Sequence, residues 1–283
     1  MDPSLTRKSA GGGGSSRDSV RVRPKFWTSL AVQARVVSAL MVREAHAKYS
    51  KETLGFFWTI AEPLILTVGV ILLWSVTRRG EGRGEISMFA LALTAYSHIQ
   101  LWRMISLSAL GSVKASGWLF YHQNVKMFDV FLARGFLISL SIFASFVIVA
   151  AVGVLFDFMP PVRDPGLTVA GWCVDTIFCL SFASVVAGLS EFSDIVEKIL
   201  HPLMYLTLPL TGAFTMTSWL PPRLRVFVDW SPLANACEMF RSGVFPESVK
   251  TVWSLPYILG SSLVLFLIGI QLMNTARKRI SVL

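Results

Sequence analysis

Charge is what this chain has least of. Only 15% of its 283 residues are Asp, Glu, Lys or Arg, while 53% are hydrophobic and the mean hydropathy is +0.59. Soluble domains carry about 25% charged residues. The deficit, with apolar runs close to the ~20 residues that cross a bilayer, excludes an ordinary soluble protein and makes this an integral membrane protein. Cysteine is also scarce. Cys173, Cys179 and Cys237 have neither metal-ligand spacing nor the even count of a disulfide framework, and the first two read as small packing residues.

Catalytic signatures are missing too. The chain has no H-E-x-x-H, no G-x-S-x-G and no Cys/His cluster, which argues against a zinc hydrolase or a serine esterase. The run GGGGSS at 11–16 lacks the lysine and the strand–helix context of a phosphate loop, so no nucleotide site is expected there. A short apolar stretch before an A-x-A site is not found, and no cleavable signal peptide is expected. The net charge of +9 does not imply nucleic acid, because the basic residues form no single face with interleaved aromatics. Lys and Arg beside apolar segments more often set membrane topology.

What the chain does have is a series of apolar segments behind a basic N-terminal stretch. Residues 1–26 are Gly-rich and basic, with little to bury, and read as a disordered cytosolic tail. Over 27–55, Trp27, Leu30, Val37, Leu40 and Met41 recur at near-helical intervals among Arg35, Arg43, Lys48 and Lys51, the pattern of an amphipathic interfacial helix. A helix packed on a partner would fit the same residues. The chain then turns near Gly55 and enters the membrane.

Six spans are expected, at about 56–77, 86–110, 130–155, 167–189, 199–218 and 256–273. The first carries Glu62-Pro63. The second contains Ser97, His98, Gln100 and Arg103, polar groups that belong in a bundle interior or an aqueous path rather than against lipid. The fifth is short and interrupted by Pro202, Pro209 and Gly212. Between the fifth and sixth, Ser231-Pro232 supplies a helix cap and first helical residue, so a short helix is expected over 232–243. Glu191, Asp194 and Glu197 form an acidic hinge that reads as a solvated helix start. With six crossings both termini share a side, and sixteen Lys/Arg fall on that side against eight opposite, which puts both termini in the cytosol. The expected fold is all-α: six transmembrane helices, an amphipathic N-terminal helix, and short re-entrant helices before the last span.

Three blocks carry a resemblance that takes the reading further. The first, LMVREAHAKYSKETLGFFWTIAEPLI, contains Arg43, Glu44, Tyr49, Leu54, Gly55, Trp58, Glu62 and Pro63. The second, VKASGWLFYHQNVKMFDVFLAR, contains Leu119, Tyr121, Val125, Lys126, Asp129, Ala133 and Arg134. The third, from Val196 to Phe245, contains Pro202, Gly212, Leu220, Pro221, Ser231-Pro232, Glu238, Arg241 and Gly243. In this order, over about 36–250, they resemble the membrane subunit of type-2 ABC exporters (ABC-2 permeases), specifically the capsular-polysaccharide export permeases, relatives of the O-antigen permeases. The chain departs from the family pattern at Ser231, where Asn-Pro is common, and near Ser116, which replaces an Asn.

The resemblance implies a homodimeric transport subunit of the bacterial inner membrane rather than an enzyme. A separate ABC ATPase would bind ATP and Mg, with no cofactor on this chain. Periplasmic adaptor and outer-membrane export proteins would stand above it, and the cargo would be a lipid-linked polysaccharide. Arg43, Glu44 and Tyr49, with Gly117, Trp118, Leu119 and Tyr121, would couple to the ATPase or form a cytosolic gate. Ser231, Pro232, Glu238 and Arg241 would belong to the extracytoplasmic re-entrant helices.

Sugars stack on aromatic rings, so Phe57, Trp58, Tyr96, Trp102, Tyr205, Phe214 and Trp219 are candidates for lining the path, although Trp and Tyr also gather at membrane interfaces without such a role. Arg103 and His98 could attract an acidic glycan or a lipid phosphate, or be held in an intramembrane hydrogen-bond pair. Export of O-antigen, teichoic acid or a small hydrophobic drug is the same chemistry with another cargo. A membrane-embedded lipid or sugar transferase would be a different class, and would need Glu62 with His46 or His98 as its acid/base pair.

Overall fold

The computed structural model describes residues 33, 35–43, 65, 69, 86–110, 127–213 and 215–280. The tail over 1–26 and almost all of the first expected span lie outside them. So do Glu44, Tyr49, Phe57, Trp58, Phe214 and the segment 111–126 with Gly117, Trp118, Leu119 and Tyr121.

Among the described residues the chain forms helices and 3₁₀ turns and no strand. In order these are α1 (Met88–Ser108), α2 (Met127–Leu155), α3 (Pro165–Ser190) and α4 (Ile195–Leu206). Two 3₁₀ turns follow, Leu208–Thr211 and Thr217–Trp219, then α5 (Pro222–Asp229), α6 (Pro232–Val244) and α7 (Leu255–Ile280). Three of these contain stretches long and apolar enough to cross a membrane: Phe128–Leu155, Pro165–Ser190 and Leu255–Ala276. The 21-residue α1 is more polar, and at 1.5 Å per residue it reaches about 31 Å.

Local signals set the helix starts. The Asp164 side chain accepts from the Leu167 N–H at 2.9 Å, with Pro165 at the first helical position of α3. Ser231 does the same for α6, accepting from Ala234 N–H at 3.3 Å ahead of Pro232. Both arrangements satisfy an amide that would otherwise be orphaned and use a proline where no donor is needed. The expected short helix thus runs Pro232–Val244.

The segment expected as a fifth span is not one continuous helix. α4 covers 12 residues, running through Pro202 where an interruption was expected, and gives way at Thr207 to a 3₁₀ turn. Gly212 then takes φ +67°, a conformation that L side chains resist. Pro209 removes an amide donor just before this point.

α3 is the centre of the assembly. Of its most apolar window 67% is buried, against 44% for α2 and 17% for α7. α1, α2, α4, α6 and α7 all pack on it. α6 approaches very closely at Gly171, where an added Cβ would lie 2.6 Å from the Phe240 Cα; small residues permit such backbone contact between membrane helices. α2 and α7 turn Phe136, Leu140, Val147, Leu259, Leu263, Val264 and Leu267 outward, as surfaces facing acyl chains would.

The helical segment 35–43 docks at the start of α2. Leu40 is buried against Val130 and Ala133, flanked by Val36, Val37 and Met41. The Gln33 amide donates to Asp129 at 2.9 Å, while Arg35 and Arg43 stay exposed. Of the stripe read from the sequence, Val37, Leu40 and Met41 are on the packed face, while Trp27 and Leu30 lie outside the described residues.

Replacing Gly171 with Leu should separate α6 from α3. Overpacking of this kind costs about 1–3 kcal/mol, and the expected result is a lower thermal midpoint of the detergent-purified protein, measured by thiol-reactive dye fluorescence.

Candidate functional site

Two polar constellations lie within the helical core. The first is built on α6, whose Glu238 and Arg241 are both fully enclosed. Arg241 Nε donates to Thr94 Oγ1 of α1 at 3.3 Å. Nη1 donates to the Gly212 carbonyl at 2.7 Å and the Thr215 carbonyl at 3.4 Å, and Nη2 donates to the Ala213 carbonyl. These are the carbonyls that the broken element after α4 leaves without helical partners. A planar guanidinium offers five donors in a rigid, spread fork, against three on a compact ammonium.

Glu238 performs the complementary task. Its carboxylate accepts from the Thr217 N–H at 2.9 Å and the Val252 N–H at 3.3 Å. Burial pushes the Glu238 carboxyl above the usual carboxylate range, opposed by the Arg241 charge and by the two amide donors. One turn of α6 thus holds the loop before it and the loop after it. Asn235 adds a third tie, donating to the Asp229 carbonyl at 2.9 Å and accepting from the Ser254 N–H at 3.2 Å.

The second constellation joins α1 to α3. His98 Nδ1 lies 2.7 Å from Asp175 Oδ2, and neither side chain has solvent access. Cys179 Sγ approaches the other carboxylate oxygen at 3.7 Å. His98 is thus held in a buried pair, and its partner is Asp175. The sequence signal for Asp175 was available: it is the one carboxylate in the apolar run VAGWCVDTIFCL, and an ionisable group in such a run marks a partner or a pathway.

The aromatic candidates separate. Trp102 is buried, with its ring 4.4 Å from Phe182 and 6.3 Å from Phe178 of α3. Trp219 is half-buried in the 3₁₀ turn and packs against the main core, and Tyr96 is half-buried on α1. Arg103 and Tyr205 come together, the guanidinium carbon 5.8 Å from the ring centroid, within cation–π range. Among the described residues no group of His, Cys, Asp and Glu gathers to hold a metal ion.

Both constellations generate predictions. Arg241→Met strands several enclosed carbonyls at a cost of about 1–3 kcal/mol per unsatisfied group, and Arg241→Lys should rescue little of it; fluorescence-detected gel filtration reads the folded fraction. His98→Leu leaves a buried carboxylate alone and should cost about 3–5 kcal/mol, whereas the His98→Leu/Asp175→Leu double variant should recover most of the loss in thermal unfolding.

No protein-family model matches the chain. The capsule polysaccharide export inner-membrane protein BexB of Haemophilus influenzae is 30% identical over 253 residues, 89% of this chain and 95% of that protein. The capsule polysaccharide export inner-membrane protein CtrC of Neisseria meningitidis serogroup B is 30% identical over 256 residues, 90% and 96% of the respective chains. The polysialic acid transport protein KpsM of Escherichia coli is 26% identical over 254 residues, 87% of this chain and 95% of its own. Identity at this level along nearly the whole of both chains, over a helical core with membrane-crossing segments, places this protein in the family of capsule polysaccharide export inner-membrane proteins.

Proposed function

We propose that this chain is the permease subunit that moves a lipid-linked capsular polysaccharide across the bacterial inner membrane, driven by ATP and Mg on a separate ATPase. The observation that carries this is the end-to-end similarity to capsule export proteins, on a chain with at least three membrane-crossing segments. Six crossings with both termini in the cytosol agree with the excess of Lys and Arg on the termini's side. The ends of the described helices sort the same way. Phe89, Gly153 and Met159 meet at one end, and Leu40 meets Val130 at the other.

In this reading the subunit works as a homodimer and hands its cargo to periplasmic adaptor and outer-membrane proteins. The docked segment 35–43, with Arg43 exposed at its end, stands on the ATPase side together with Glu44, Tyr49 and the gate residues Gly117, Trp118, Leu119 and Tyr121. The pair Arg103 and Tyr205 faces the path. Ser231, Pro232, Glu238 and Arg241 hold the extracytoplasmic re-entrant elements. The transferase alternative draws no support from His98, which is enclosed and engaged by Asp175.

Deleting the gene should remove surface capsule, scored by antiserum binding to intact cells, with polysaccharide accumulating inside. The purified chain alone should release no phosphate from ATP. With the ATPase partner restored, Trp118→Ala and Tyr121→Ala should leave hydrolysis in place and lower export at least tenfold.

A further inference from the structure

Between α2 and α7, part of α3 opens onto the membrane-facing surface. The opening is a groove of about 310 Å³, at the lower end of the range for small-molecule sites. Leu132 and Phe136 of α2 form one wall, and Leu259, Leu263 and Phe266 of α7 form the other. The spacing is i, i+4 on α2 and i, i+4, i+7 on α7, so each wall is one face of its helix. Ile177 and Leu180 of α3 make the floor. Phe136, Ile177, Leu259 and Leu263 are exposed. The groove is therefore continuous with the apolar surface that α2 and α7 turn outward.

Its polarity and its depth both describe an occupant. The two hydroxyls in the lining, Ser181 and Ser262, donate to the carbonyls of Ile177 and Ile258 one turn back, each at 2.7 Å. Their hydrogens are taken up within their own helices, and the rest of the lining is hydrocarbon. Such a surface suits an acyl chain and penalises a sugar or a peptide backbone, whose polar groups would go unmet. One end of the groove is bounded where the rings of Phe266 and Phe128 meet edge to face, their centroids 5.5 Å apart. Phe266 is the twelfth of the 22 residues in the membrane-crossing segment Leu255–Ala276, so this stop lies at mid-depth. From Leu255 to Phe266 is about 16 Å of helix, close to half of the ~30 Å hydrocarbon core, which is the reach of one leaflet's chains. The start of α7 is at headgroup level by its aromatics. The Tyr257 hydroxyl donates to the Trp230 carbonyl at 2.7 Å, and both residues are exposed, as Trp and Tyr are at a membrane interface.

We propose that this groove holds one acyl chain of a bilayer phospholipid. The lipid belongs to the leaflet on the side where α7 begins, and its chain ends against Phe128 and Phe266. A second copy of the protein suits the groove less well. A helix is about 10–12 Å across, and close helix seams need small residues at the contact, where this groove has Phe136, Leu259 and Leu263 at its lips. The bound chain packs α2 to α7, whose most apolar window is only 17% buried by the protein itself. The proposal is independent of what the protein transports and requires only that α2, α3 and α7 cross a membrane.

The test is native mass spectrometry of the full-length chain in detergent, titrated with dioleoylphosphatidylethanolamine. One lipid per chain should stay bound. Leu263→Trp, which fills the groove from its exposed lip, should weaken binding about tenfold, the loss of roughly two buried methylene groups. Val264→Trp alters the next residue of α7, exposed and outside the groove, and should leave binding unchanged. Exchanging the headgroup for phosphatidylglycerol should also leave it unchanged, because the chain is held and not the charge. Absence of a retained lipid, equal weakening by the two tryptophans, or a strong preference for one headgroup would overturn the proposal. So would a disulfide-linked pair of chains formed by Leu263→Cys in vesicles, in a Cys173→Ser background, since the groove would then be an interface between copies.

Discussion

A guanidinium cut off from water must be surrounded by oxygen atoms, and the rest of this core is arranged around that requirement at Arg241. The backbone after α4 cannot remain helical through Pro209 and Gly212, so several carbonyls lose their amide partners inside the packed core, out of reach of water. Arg241 binds those carbonyls and Thr94 of α1 in one fan of hydrogen bonds. The break needs the cation, and the cation needs the break. Each is costly alone, since a buried charge left unpaired costs about 3–5 kcal/mol and a bare carbonyl about 1–3 kcal/mol.

The position of Arg241 depends in turn on α6, which the Ser231-Pro232 cap starts and the Gly171 contact seats against α3. Glu238, on the same helix turn, fastens the backbone at Thr217 and Val252. A 13-residue helix thus joins α1, the broken element and the approach to α7. His98 and Asp175 provide a second, independent tie between α1 and α3. The polar groups lie inside among buried apolar side chains, while α2 and α7 also turn large apolar side chains outward, which is the arrangement a hydrocarbon solvent selects. Arg103 differs from the buried charges in being half-buried over a ring, that of Tyr205.

Much of this architecture was legible in local sequence. The cap at Ser231, the interruptions at Pro209 and Gly212, and the stripe of Val37, Leu40 and Met41 all follow from interactions within a turn or two of chain. Asp175 was legible in kind but passed over, because a lone carboxylate in an apolar run announces that it needs a partner without saying which. The aromatic set was the least legible. Trp102 and Tyr205 look alike as ring-bearing residues near the ends of apolar segments, yet one is enclosed by Phe178 and Phe182 and the other lies largely open.

Composition and local spacing by themselves determined that the chain is a helical membrane protein, where most of its helices begin, and which segment cannot stay helical. These features depend on transfer free energy and short-range hydrogen bonding, which neighbouring residues specify; the resemblance to capsule exporters rested instead on three blocks of residues in order. Only the tertiary structure decided that His98 belongs to Asp175, 77 positions away, that Arg241 serves the broken element 26–29 positions before it, and that Arg103 meets Tyr205. Such pairings depend on how helices rotate and cross, and that is set by side chains interlocking between elements, for which no single stretch of sequence holds both halves.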